Sequence, residues 1–159
     1  MRHPSYDSTC GICQQNAGEK PIWGDVVFEN DLWLLRHAPP PFGVAGWMTM
    51  QTQRHVGGPA HFNDDEARNF GPALRHFERV LERLTGALRI YTAAMGESAP
   101  HFHGHLVPRY AQMAKDAKAW AVFDLQRAAI AGEISVDETE VRRIVAAYRE
   151  ALRKDPAPR

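Results

Sequence analysis

His101-Phe102-His103-Gly104-His105-Leu106-Val107-Pro108-Arg109 sets a histidine at every second position. Side chains alternate faces along a strand but wind around a helix. Period two therefore predicts a strand with the three imidazoles on one side, neighbours roughly 6.5 Å apart. Phe102 and Leu106 then face a core on the other side. Pro108 has no N–H to give to a ladder, so the strand is expected to end there or to lie at an edge. Two chemistries use such a row. Neutral imidazoles at alternate positions can share a zinc ion. Alternatively, one ring nitrogen attacks phosphorus while its neighbours align the phosphate oxygens. The bland alternative is a surface cluster, and the apolar residues interleaved with the row argue against it.

The residues before the row favour phosphorus. Gly96-Glu97-Ser98-Ala99-Pro100 is a tight approach carrying a hydroxyl donor. With this lead-in the chain resembles the histidine-triad family of nucleotide hydrolases and transferases. That family's pattern is His-φ-His-φ-His-φ-φ, preceded by Gly-Gln-Ser and often followed by Pro-Arg. Gly96, Ser98, His101, His103, His105, Pro108 and Arg109 fall in register with it. Two residues depart from it: Gly104 replaces an apolar residue, and Glu97 stands where glutamine is usual.

Composition sets outer bounds. The 159 residues suit one domain with a real core, and 44% apolar and 24% charged residues are ordinary for a globular chain. Lys+Arg and Asp+Glu balance at 19 each, which argues against a general nucleic-acid or acidic-membrane binder. No apolar run approaches the ~20 residues of a membrane span, and the N-terminal residues lack a signal peptide's apolar segment, so a cytoplasmic location is expected. In that compartment Cys10 and Cys13 are thiols or metal ligands rather than a disulfide. By itself, Cys10-Gly11-Ile12-Cys13 is a turn supplying half of a zinc site.

Along the chain, Asp25-Val26-Val27-Phe28 and Leu32-Trp33-Leu34-Leu35 read as strands paired around Glu29-Asn30-Asp31. A Pro/Gly-rich loop from Ala38 to Gly46 leads to a strand at Trp47-Met48-Thr49-Met50-Gln51. Asn63 and Glu66 form a capping pattern, and Phe70, Leu74, Phe77, Leu81 and Leu84 recur at helical spacing up to a stop at Gly86. Pro72 requires a kink or an early position in that helix. Leu88 to Ala93 is a strand that pairs with the histidine strand. Phe123 to Ala131 reads as a short helix, and Ser135-Val136-Asp137-Glu138 as a capping box opening a longer one to about Arg153. Trp23, Phe28 and Trp33 are expected in the core, and His3, His61 and His76 on the surface. The order gives an α+β fold: an antiparallel sheet, one long packed helix, and C-terminal helices.

The resemblance, which spans about residues 10–110, implies more. It implies a catalytic domain over residues 1–110, with a helical extension over residues 111–159 packed on it, and a homodimer whose sheets join into one. The partner molecule is a nucleotide, with neither nucleic acid nor membrane. It makes His103 the nucleophile on the α-phosphorus of a dinucleoside polyphosphate or nucleoside phosphoramidate, forming a covalent nucleotidyl-histidine. His105 bonds a phosphate oxygen, and Ser98 donates to the α-phosphate or leaving group. His37, Glu97 and Arg109 fall where substrate is contacted, although Ala38-Pro39 replaces the aspartate that commonly holds the ribose. Cys10, Cys13, His55 and His101 make a structural zinc site. Other readings stay open: a nucleotidyl transferase, a non-catalytic nucleotide or zinc binder, and a zinc-water enzyme of the carbonic anhydrase kind. The last leaves the Gly-x-Ser lead-in unexplained.

Overall fold

Five antiparallel strands carry two unequal layers in the computed structural model, which describes residues 2–24, 26–97 and 99–158. The strands are β1 (Phe28–Glu29), β2 (Trp33–His37), β3 (Met48–Thr52), β4 (Arg89–Ala93) and β5 (His103–Arg109), in the order β1-β2-β3-β5-β4. The helices are α1 (Gly11–Asn16), α2 (Asp64–Thr85), α3 (Asp124–Ile130) and α4 (Glu138–Lys154), with 3-10 turns at Pro59–His61 and Ala119–Phe123.

Alternation decides which residues face which layer. Trp33, Leu35, Met48, Met50 and Leu106 turn to one face and pack with Phe102, with Phe77 and Leu81 of α2, and with Ile144, Tyr148 and Leu152 of α4. Burial of these side chains is the main driving force for the fold, at roughly 1.5–3 kcal/mol each. The two large polar-tipped side chains it encloses are satisfied: Trp33 Nε1 donates to Asn69 Oδ1 (2.6 Å), and the Tyr148 hydroxyl to the Phe77 carbonyl (2.7 Å). Phe28 and Trp23 pack against the same core. The other face is smaller. There Ala38, Val44, Trp47, Val107 and Val122 pack together beneath the 3-10 turn.

Helix α2 starts as its sequence requires. Asn63 Oδ1 accepts from the Glu66 N–H and the Glu66 carboxylate accepts from the Asn63 N–H, both at 2.9 Å. It ends at Gly86, whose left-handed φ of 64° suits a residue without Cβ. Pro72 lies on its exposed side, and the helix runs through it.

Some boundaries differ from expectation. The cap of α4 is Asp137, whose carboxylate accepts from the Thr139 N–H (2.8 Å), so the helix starts later than a Ser135 cap implies. Aspartate caps as well as serine and also complements the helix dipole. The first strand is reduced to Phe28–Glu29, although the Val27 N–H still bonds the Leu35 carbonyl; Asp25 lies outside the described residues. Cys10–Cys13 opens a short helix rather than a turn. Finally, β5 runs through Pro108. The β3 ladder ends at Met48↔Leu106, so on that side Pro108 has no partner to disappoint, and it pairs only with Ile90 of β4.

Candidate functional site

The face of the sheet away from α2 is polar yet largely covered. Register sets two cross-strand rows on it: Arg36–Thr49–His105 and Leu34–Gln51–His103. Together with α1, Ala99, Trp47 and Gln126 of α3, this face borders a cavity of about 400 Å³ that His103 and His105 share.

The three histidines of the row differ in what holds them, and so in which nitrogen keeps its proton. His103 Nδ1 donates to the His101 carbonyl (2.8 Å), leaving a lone pair on Nε2. His105 is reversed: Trp47 Nε1–H donates to its Nδ1 (3.1 Å), which places the proton on Nε2. Burial lowers the His105 pKa to about 4, with smaller contributions from the neighbouring His103 and Arg36, so the ring is neutral at pH 7. One imidazole thus offers a nucleophilic lone pair and its neighbour an N–H donor, with ring centroids 5.3 Å apart.

His101 leaves the row. It precedes β5 and is fully buried, and its Nε2 donates to the Thr52 carbonyl (2.8 Å). That frees Nδ1 to face Cys10 Sγ at 3.7 Å and Cys13 Sγ at 3.4 Å, while His55 Nδ1 lies 3.2 Å from Cys13 Sγ. All four ligand atoms fall within 4.8 Å of one another. Tetrahedral zinc with ordinary Zn–S and Zn–N bonds separates sulfur from nitrogen by about 3.6 Å. The donor set, its spacing and its free nitrogens therefore fit such an ion. Around it, Asp7 Oδ2 lies 4.0 Å from His55 Nε2, and the Ser5 hydroxyl accepts from the His55 N–H (2.8 Å). Arg54 grips the buried Glu66 carboxylate through two N–H groups (3.0 and 2.7 Å), tying the exit of β3 to α2.

This architecture recurs in solved structures. A Hit-like protein of Bartonella henselae matches 92% of this chain and 98% of its own, with a TM-score of 0.67 and 14% identity. A Zn-bound histidine triad family protein of Mycobacterium smegmatis matches 92% and 96%, with a TM-score of 0.65 and 17% identity. A hypothetical histidine triad nucleotide-binding protein of Sulfolobus tokodaii matches the same shares at 0.64 and 14%. The fold is that of the histidine-triad proteins. No protein-family model and no curated protein sequence matches the chain, so the likeness is carried by structure.

Within the histidine-triad fold the residues singled out from sequence are dispersed. His103 and His105 share the cavity, and Cys10, Cys13, His55 and His101 converge on one another outside its lining. Ser98 lies outside the described residues. Glu97 is exposed, on the loop before His101. His37 is 1% exposed: its Nδ1 donates to the Ala38 carbonyl (2.7 Å) and its Nε2 accepts from the Gly46 N–H (2.9 Å), so its ring has no nitrogen left for a substrate. It faces Trp23 and Phe42 on the opposite side of the sheet, with burial lowering its pKa to about 4. Arg109 spends its guanidinium on the Tyr110, Met113 and Ala114 carbonyls, shaping the turn after β5. Neither lines the cavity. Trp47, Gln126 and Arg36 do line it, and none was singled out from sequence. Arg36 had a readable signal, a charge at an alternate position of an otherwise apolar strand.

Proposed function

We propose that the chain is a nucleotidyl hydrolase working through a covalent histidine intermediate at His103. The observation that carries this reading is the opposed protonation of two adjacent rings: His103 with its Nε2 lone pair, His105 with its Nε2–H. His103 Nε2 bonds to the α-phosphorus of a dinucleoside polyphosphate or nucleoside phosphoramidate as the bond from phosphorus to the leaving group breaks. His105 Nε2–H donates to that leaving oxygen or nitrogen, assisted by Ser98. Water then displaces His103, the P–N bond breaks, and a nucleoside monophosphate departs. The His101 carbonyl keeps the Nδ1 proton in place throughout and stabilises the charge that develops on the ring.

Cys10, Cys13, His55 and His101 hold a structural zinc ion in this reading. When bound it supplies a cross-link between α1, the end of β3 and the residue whose carbonyl orients His103. The free edge of β4 is where a second copy would extend the sheet to form a homodimer.

The test is incubation with radiolabelled ATP, diadenosine polyphosphates and adenosine phosphoramidate, quenched in alkali, which phosphoramidates survive. The wild type should carry label and His103→Ala should carry none, with turnover lowered by at least about 10³-fold. Equal turnover by His103→Ala sinks the proposal.

A further inference from the structure

Arg36 is a buried cation with no anion beside it among the described residues. It is 8% exposed, and burial lowers its pKa to about 10 with no acidic neighbour among the described residues to offset the effect, so it stays charged at pH 7. A guanidinium buried without a carboxylate costs stability, and such a cost is commonly found where a binding site needs the charge.

Its orientation is set by Gln51, which is fully buried. With the Gln51 amide oriented by its hydrogen-bond partners, the side-chain oxygen accepts from Arg36 Nε (2.8 Å) and Nη2 (2.9 Å), and the amide nitrogen faces Asn16 Oδ1 (3.3 Å). The His37 carbonyl takes a third, longer contact from Nη1 (3.4 Å). Guanidinium has five N–H groups, so two are left. Gln51 is the cross-strand partner of His103, and Thr49 is that of both Arg36 and His105. The cation is therefore held on the same face as the nucleophile and at the same cavity, with only β3 between their strands.

The rest of the cavity wall suits an anion. Among the described residues its lining includes no aspartate or glutamate, and Ala38, two positions along the same face from Arg36, is uncharged. Arginine presents its remaining N–H groups as a planar fork matched to two phosphate oxygens.

We propose that Arg36, braced by Gln51, binds the phosphoryl group under attack, donating its two unspent N–H groups to the non-bridging oxygens beside His103. This rests on the reading of His103 as a nucleophile on phosphorus and names the group that neutralises the substrate there. In the transition state the same contact absorbs charge that moves onto those oxygens.

The test measures binding of inorganic phosphate, AMP and adenosine by calorimetry to wild type, Arg36→Met and Arg36→Lys. A fourth protein, Arg36→Met with Gln51→Leu, replaces the buried pair by apolar side chains and leaves no orphaned amide. Phosphate and AMP affinity should fall about tenfold or more in both methionine variants, and by less in Arg36→Lys, which keeps charge without the fork. Adenosine binding and near-ultraviolet circular dichroism should be unchanged. The proposal is overturned if AMP binds all variants equally, if adenosine affinity falls in parallel with AMP, or if wild type binds neither phosphate nor AMP. Alkali-stable labelling of His103, measured separately, distinguishes the two readings: binding through Arg36 without label retains this inference and removes the hydrolase.

Discussion

Each histidine of the row gets its task from the group that holds its other nitrogen. A backbone carbonyl gives His103 a lone pair, an indole N–H gives His105 a proton, and the Thr52 carbonyl gives His101 a ligand atom. The indole is the contact most open to test, since Trp47→Phe keeps the ring packed on Val107 and Phe123 and removes only the donor. His105 then loses its tautomer lock, and one hydrogen bond is worth roughly 0.5–1.5 kcal/mol. We expect kcat to fall by about 2–10-fold with KM little changed, and imidazole 15N shifts of His105 to show mixed tautomers. A variant with wild-type kcat and a single tautomer would show that something else fixes the ring. At Gly104, between His103 and His105, a Cβ would stand 3.4 Å from Phe102 Cζ, an ordinary contact, so the packing does not by itself require glycine there.

At the scale of elements, α3 closes the cavity and one residue lets it. Gln126 donates to the Pro41 carbonyl (2.8 Å) and accepts from the Gly43 N–H (3.2 Å), clasping the loop between β2 and β3. A Cβ on Gly43 would stand 2.7 Å from the Gln126 backbone nitrogen, which cannot yield as a flexible side chain can. Gly43→Ala should therefore lift α3, costing roughly 1–3 kcal/mol of stability and raising protease cleavage near residues 119–130. Unaltered melting and proteolysis would show that the loop absorbs the methyl group. These contacts also mark where sequence reading stops. The β2, β3 and β5 alternation, the Asn63–Glu66 box and the Gly86 stop were legible because each depends on neighbours in the chain. The role of Gln126 depends on residues more than 80 positions away, and no local pattern encodes it. His37 is set beside substrate by the resemblance, whereas the strand's pleat turns it to the core. The four metal-ligand candidates were legible by resemblance alone, since spacing links Cys10 to Cys13 but not to His55 or His101.

For the whole molecule, stability is divided unevenly. The α2–α4 side holds the large aromatic and aliphatic core, whereas α1 has six residues, too few for a helix to persist on its own. Cys10, Ile12 and Cys13 form only a small apolar cluster with Tyr6 and Ala99 in partial support. Two thiols and two imidazoles from three separate segments converge at this end, where a bound metal would fasten them. A metal bound there at about 100 times its dissociation constant stabilises the folded state by about 2.7 kcal/mol. For a chain of this size, that corresponds to roughly 5–10 °C in Tm. The chain as purified should therefore contain one zinc per protomer, and stripping it should lower Tm by that amount. Because α1 also borders the cavity, nucleotide binding should weaken with it. Hydrogen exchange localises the effect: amides of residues 10–17 and 99–102 should exchange faster, while those around Phe77 and Ile144 stay protected. Cys10→Ser with Cys13→Ser should reproduce all three changes without a chelator. Uniformly faster exchange would make the metal a determinant of the whole fold, and zinc-free protein with the same Tm would remove the ion from the account.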